Sequence, residues 1–288
     1  MSDENTALED GQVEAGSAEA RQARTDLIRQ IVTLVLIVIG TVAANLLGMS
    51  VQGTETGDIA NQTFQDSVFF FPAGYVFGTI WPVIYLGILG LAIHQVLPSQ
   101  RNNPRYRRGD YMLAINLLLN GGWVLVFGLR LFVWSFVLII PILVTAIFAY
   151  QWLGICRTPP APQPYPTPWE RFFKGAVSIY VAWLTIATVA SASTALVAVG
   201  WNGFGIGMET WGLIIAIVGI VLGAVLLWVF RDPIFAVVYA YAYIGIMVRQ
   251  LGEVPGVAIT AAVGAGIFVV LFVLSLILWR GQGREARV

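Results

Sequence analysis

Eight long apolar stretches recur along this chain, and they limit what it can fold into. They cover residues 28–48, 72–97, 110–129, 131–155, 171–199, 209–230, 233–250 and 257–279. Each is close to the ~20 residues that a helix needs to cross a bilayer. With 58% hydrophobic and 11% charged residues, the chain carries too little charge for a soluble domain. The sequence therefore predicts an all-α, polytopic bundle of eight membrane helices.

The segments between and beyond these spans predict the topology. Residues 1–27 are polar and rich in acids, so we expect a disordered cytoplasmic tail, with a second short tail at 281–288. If the N-terminus lies inside, fourteen of the sixteen Lys and Arg residues fall on the cytoplasmic side, and only Arg130 and Arg249 lie outside. The positive-inside rule expects this bias. Both termini are therefore predicted to be cytoplasmic, and a bacterial plasma membrane fits the tail and the charge bias.

The second span contains PAGYVFGTIWPVIY at residues 72–85. In a helix Phe77, Trp81 and Tyr85 fall at i, i+4 and i+8, so three aromatic rings share one face. Pro82 is expected to kink the helix beside that face. Such a stripe is either ordinary packing or one wall of a pocket for a flat, hydrophobic ligand.

The third span adds amides to the same kind of face. Seven of the ten tryptophans fall near span ends, where interfacial belts explain them, but Trp81, Trp123 and Trp183 lie well inside spans. Asn116 and Asn120 share a helical face with Trp123. A carboxamide facing lipid has no hydrogen-bond partner, so both should point inward. They would either join helices or contact a ligand.

The fifth span repeats the arrangement with small residues. Tyr180, Trp183, Ala187 and Ser191 share a face in IYVAWLTIATVASAS. The small side chains leave room for a neighbouring helix or for a ligand.

Two further patterns concern the last three spans. Gly219 and Gly223 form a GxxxG pair, which indicates close helix contact within the chain or between two chains. Tyr239 and Tyr243 share a face of the seventh span, where packing in the core is expected.

The predicted spans lack the residues on which several classes of membrane-protein function usually depend. No predicted span has an Asp or Glu near its middle, although ion-coupled transporters usually place an ionisable group there. The membrane region also has no nucleophile–base pair, paired carboxylates or metal-ligand cluster. A conventional hydrolase is disfavoured, and we expect no required cofactor. A glycine run, GFGIG at 203–207, follows no strand, so a nucleotide-binding loop is excluded by its context. We expect no nucleic-acid partner.

At the three aromatic faces the chain resembles the TspO family, also called translocator proteins or tryptophan-rich sensory proteins. The family pattern of the second span, approximately PPxWVFGPVWTxLY, is matched by Pro72, Val76, Phe77, Gly78, Trp81 and Tyr85. Its third-span pattern LNxxWxxLF is matched by Leu119, Asn120, Trp123 and Phe127. Its fifth-span pattern WxxxAxxxN is matched by Trp183 and Ala187, with Ser191 replacing the asparagine.

The resemblance covers roughly residues 28–200 and implies a five-helix domain there. Residues 201–280 would then add three helices that the usual members lack. Family members are often dimeric and bind porphyrins, related tetrapyrroles or sterol-like ligands under their first loop. By this resemblance, a homodimer is allowed and the segment 49–71 would cover a cavity. The cavity would be lined by Phe77, Trp81, Tyr85, Asn116, Asn120, Trp123, Tyr180, Trp183, Ala187 and Ser191.

These observations lead to one expected function and three alternatives. We expect a membrane receptor or sensor for a flat hydrophobic small molecule, either a tetrapyrrole such as a porphyrin or a sterol-like ligand. A transporter or efflux facilitator for the same molecules is the first alternative. A porphyrin-degrading enzyme and a membrane scaffold are the other two.

Overall fold

The computed structural model describes residues 2–50, 70–155 and 168–279, and all regular secondary structure in these ranges is helical. The helices are α1 (Ser2–Ser50), α2 (Gly74–Val96), α3 (Pro104–Gly128), α4 (Phe132–Trp152), α5 (Pro168–Ala198), α6 (Met208–Phe230), α7 (Pro233–Gln250) and α8 (Pro255–Trp279). Each contains a stretch long and apolar enough to cross a membrane, eight in all. The predicted membrane bundle is therefore confirmed.

Local sequence explains where several helices begin. Asn103 caps α3 by accepting a hydrogen bond from the Arg105 backbone N–H, and Asp232 caps α7 by accepting one from Ile234. In both cases the next residue is a proline at the first helical position, where its missing N–H costs nothing. The Asp232 carboxylate also accepts a 2.9 Å hydrogen bond from Tyr150. That bond ties the start of α7 to the end of α4.

The first five helices form a closed ring. Each packs on two neighbours, in the order α1, α2, α5, α4, α3 and back to α1. The remaining three lie outside this ring: α7 packs on α5 and α2, α8 packs on α7, and α6 packs on both α7 and α8. Along the chain, the ring therefore ends with α5, and the three helices that follow form a second layer in contact with it.

The N-terminal segment differs from the prediction. A disordered tail was expected up to residue 27, but the backbone of residues 2–27 is the first part of the continuous helix α1. The end of this segment is anchored, because Asp26 is buried and bonded to Arg107 on α3 and lies beside Arg29. One turn later, Gln30 exchanges hydrogen bonds with Gln95 on α2. Polar composition indicated disorder, yet an ion pair between the buried Asp26 and the partly exposed Arg107 holds its last turn in place.

Two predicted features lie outside the described residues. They are most of the segment 49–71 and the short C-terminal tail. The end of the first is described: Phe70 and Phe71 are buried.

Candidate functional site

The three mid-span tryptophans meet inside the five-helix ring. The ring centroid of Trp81 on α2 lies 6.4 Å from that of Trp123 on α3 and 6.4 Å from that of Trp183 on α5. Beside them lies a cavity between α2, α3, α4 and α5. It is lined by Phe71, Pro72, Phe77, Trp81, Asn120, Trp123, Phe127, Ile139, Ile142, Trp183, Leu184, Ile186, Ala187, Ala190 and Ser191.

Helical phase places the α2 rings on this inner face. Phe77 and Tyr85 are buried and Trp81 is partly buried, whereas Leu86, on another face, is 70% exposed in the isolated chain. Aliphatic residues such as Leu86 are suited to contact lipid, and the aromatic residues are left for the interior. The spacing of four residues therefore stacks Trp81 on Tyr85, with centroids 5.3 Å apart and planes at 21°.

The cavity is narrow because its aromatic walls touch one another. Trp123 stacks on Phe127 at 4.9 Å, and Phe77 meets Trp183 edge-on at 5.3 Å. About 480 Å³ between the lining residues is free of atoms, counting the part that opens outward. The part of this space that is wide enough for a water molecule holds only about one. A ligand as large as a tetrapyrrole would have to move some of these rings apart.

Three polar groups on the lining residues are buried without a partner in the part of the chain that the structure describes. The Tyr85 hydroxyl donates a 2.6 Å hydrogen bond to Oδ1 of Asn120. The amide nitrogen of Asn120 and the indole nitrogens of Trp123 and Trp183 are buried and have no hydrogen-bond partner among the described residues. Most buried donors in proteins are satisfied, and leaving one unsatisfied costs about 1–3 kcal/mol. All three donors lie on residues that line one cavity, and a polar acceptor in it would reach them once the rings around it move apart.

The second layer of helices supports the ring on the α5 side. Tyr239 on α7 and Thr185 on α5 share a 2.8 Å hydrogen bond between their hydroxyls, and Tyr243 donates a 2.6 Å bond to the Ala216 carbonyl on α6. A Cβ on Gly223 would lie 2.5 Å from Cζ of Phe268 on α8. The GxxxG pair of α6 therefore serves contacts within the chain, and the tyrosines of α7 pack in the core as predicted.

The comparison with known families agrees with this arrangement of helices and aromatic residues. The family described as TSPO-like protein matches residues 28–274. The chain belongs to the TspO-like family. The match extends through α6, α7 and most of α8, beyond the residues 28–200 that carry the motif resemblance. No curated protein and no solved structure matches this TspO-like protein.

Seven of the ten predicted binding residues line the cavity of this TspO-like protein. They are Phe77, Trp81, Asn120, Trp123, Trp183, Ala187 and Ser191. Whether they bind a ligand stays a prediction.

The other three lie behind the lining. Tyr85 holds Asn120, and Tyr180 packs edge-on against Trp81 at 6.1 Å. Asn116 donates to the Ile142 carbonyl at 2.6 Å and to the Thr145 hydroxyl at 2.9 Å. Asn116 therefore joins α3 to α4, which is one of its two predicted roles.

Several lining residues were not among the predicted set. Ile139 and Ile142 come from α4, a helix whose sequence has no polar or aromatic motif that could distinguish a lining position from packing. Phe71 and Pro72 come from the entry to α2. For Phe71 a signal existed, because the segment 49–71 ends in an apolar run, Val68–Phe71.

Proposed function

We propose that this TspO-like protein is a membrane receptor or sensor for a flat hydrophobic ligand of the tetrapyrrole or sterol-like class. The proposed site is the cavity between α2, α3, α4 and α5. Its supporting observation is a set of donors on Asn120, Trp123 and Trp183, which lie among aromatic rings and have no hydrogen-bond partner among the described residues. Rings can stack on a flat apolar body while the donors fix a polar edge.

Binding would require the site to widen. Because Trp81 contacts both other tryptophans, a ligand would displace its ring and replace aromatic contacts with ligand contacts. The partial exposure of Trp81, compared with 1% for Trp183, makes Trp81 the ring that moves at the lowest cost. A site in which ligand binding moves a side-chain ring on a helix is suited to a sensor.

The test is a binding titration in lipid vesicles with protoporphyrin as the probe. Replacement of Trp183 or Trp81 by Ala is expected to weaken binding by about tenfold or more, since each removes a wall of the site. The midpoint of the quenching of the remaining tryptophans gives the affinity.

The matched control is Trp134→Ala, since Trp134 is 65% exposed on α4 and does not line the cavity. It should bind like the wild type. Equal affinity in the Trp183 and Trp134 variants would contradict the proposed site.

Transport of the same ligands is the alternative to sensing, and a flux assay separates them. Saturable binding without net movement across proteoliposomes favours the receptor, and ligand accumulation inside them favours the transporter.

We also propose that both termini face the cytoplasm of a bacterial plasma membrane, because of the bias in the placement of Lys and Arg. Cysteine labelling from either side tests this topology.

A further inference from the structure

Arg249 lies in the last turn of α7, next to the entry of α2. One turn earlier, the Gly245 carbonyl accepts a 3.1 Å hydrogen bond from the Ala73 backbone N–H. A Cβ on Gly245 would come within 3.2 Å of Cβ of Pro72. The helix therefore lies directly against residues 72–73 at this point. Because Arg249 follows Gly245 by four residues, it shares the same face and lies over the same segment.

The guanidinium of Arg249 contacts a residue that lines the cavity. Its Cζ lies 5.4 Å from the ring centroid of Phe71. Phe71 is buried, lines the cavity and stacks on Phe77 at 5.0 Å. The positive charge is thus one aromatic ring away from the space between the tryptophans.

This charge has no anionic partner in the part of the chain that the structure describes. Both terminal nitrogens of Arg249 are buried and lack hydrogen-bond partners there. A cation–π contact attracts the guanidinium to a ring but leaves its N–H groups unused. Those N–H groups form a planar fork that matches a carboxylate with two parallel hydrogen bonds.

The chain has few positive charges on this side. Of sixteen Lys and Arg residues, only Arg130 and Arg249 fall on the side predicted to be external. Arg130 is exposed, in a turn that follows α3. Arg249 is instead the basic residue placed beside the cavity, and it comes from the helices that follow residue 200.

We propose that Arg249 binds the carboxylate of the ligand, so that the preferred ligands are flat hydrophobic acids rather than neutral molecules of similar shape. This inference rests on the proposed function, because it concerns the same cavity. The apolar body would lie between the tryptophan rings, with the acid directed past Phe71 toward α7. The helices that follow residue 200 would then determine ligand class.

The experiment compares protoporphyrin with its dimethyl ester, which keeps the ring and removes both acids. Each is titrated into the full chain in phosphatidylcholine vesicles, and protein-free vesicles correct for partition into lipid. The wild type is expected to bind the acid about tenfold more tightly than the ester. Arg249→Gln should abolish this preference and leave ester affinity unchanged, which also shows that the variant is folded. Arg249→Lys should keep part of the preference.

Arg130→Gln is the matched control and should retain the wild-type preference. Equal binding of acid and ester by the wild type, or an undiminished preference in Arg249→Gln, overturns the inference while leaving the proposed function in place. Failure of both probes to bind the wild type overturns the proposed function and this inference with it. If phosphatidylglycerol in the vesicles removes the preference, Arg249 binds a lipid headgroup and the inference is wrong.

Discussion

The hydroxyl of Tyr85 donates a 2.6 Å hydrogen bond to Oδ1 of Asn120, and through this bond an α2 residue orients an α3 amide at the cavity. The oxygen of Asn120 is occupied by this bond, and its nitrogen has no partner among the described residues. Tyr85 thereby decides which end of the amide is free to meet a ligand. Its role is to position a lining residue.

Tyr85→Phe is expected to weaken both the fold and ligand binding. Loss of one interhelical hydrogen bond should lower the free energy of unfolding by about 1 kcal/mol. The freed Asn120 amide can then rotate, which should lower protoporphyrin affinity several-fold. Thermal unfolding in detergent and fluorescence titration measure the two effects. The same substitution at Tyr111, which is exposed on α3, should change neither.

The two asparagines of α3 should separate stability from binding. Asn116→Ala removes two hydrogen bonds to α4 and should lower the free energy of unfolding by about 1–2 kcal/mol, with little change in ligand affinity. Asn120→Ala should weaken binding, because Asn120 lines the cavity. If Asn116→Ala reduces affinity at least as much as Asn120→Ala does, the assignment of Asn116 to helix packing is wrong.

Adding a methyl group to α6 should test how closely the helices of the second layer pack. Gly223→Ala places a Cβ against the rings of Tyr239 and Phe268 and should destabilise the protein by about 1–3 kcal/mol through overpacking. Gly266 on α8 has nothing within 4 Å of a built Cβ. Gly266→Ala should therefore be neutral, or stabilising by about 0.5–1 kcal/mol from helix propensity. Midpoints of thermal unfolding give the comparison.

The ion pair at Asp26 should anchor α1 to α3. Asp26→Asn leaves Arg107 without its carboxylate partner and should lower the free energy of unfolding by about 1–2 kcal/mol, since Asp26 is buried but Arg107 is partly exposed. Glu19 on the same helix is exposed, and Glu19→Gln should have no effect. An unchanged midpoint in Asp26→Asn would mean that solvent screens the pair.

The helices could be predicted from the sequence because apolar runs are bounded by strong signals. Pro233 and Pro255 begin α7 and α8 close to the predicted starts of those spans. The N-terminal part of α1, which precedes the apolar run at 28–48, could not be predicted as helix in this way. Its anchoring depends on Arg107, far along the chain, and composition carries no information about such a distant partner.

The candidate site was partly predictable, since helical phase brings aromatic and amide residues to one face. Helical phase does not predict which residue on a face forms hydrogen bonds with a neighbouring helix. Asn116 and Asn120 have equivalent positions in the pattern, yet Asn116 is opposite a carbonyl and a hydroxyl of α4, whereas Asn120 lies at the cavity. The contributions of α4 and of Phe71 depend on packing between segments, which periodicity alone does not reveal.

The hydrogen bond from Ala73 to Gly245 has a consequence for dissecting this protein. The start of α2 and the end of α7 share a backbone bond, so they are expected to shift together whenever the entrance of the cavity changes shape. A shortened chain that stops near residue 200 would have the motif-bearing helices but lose the acceptor for Ala73 and the cover over Phe71. The ligand selectivity measured on the shortened chain would therefore not represent that of the intact protein.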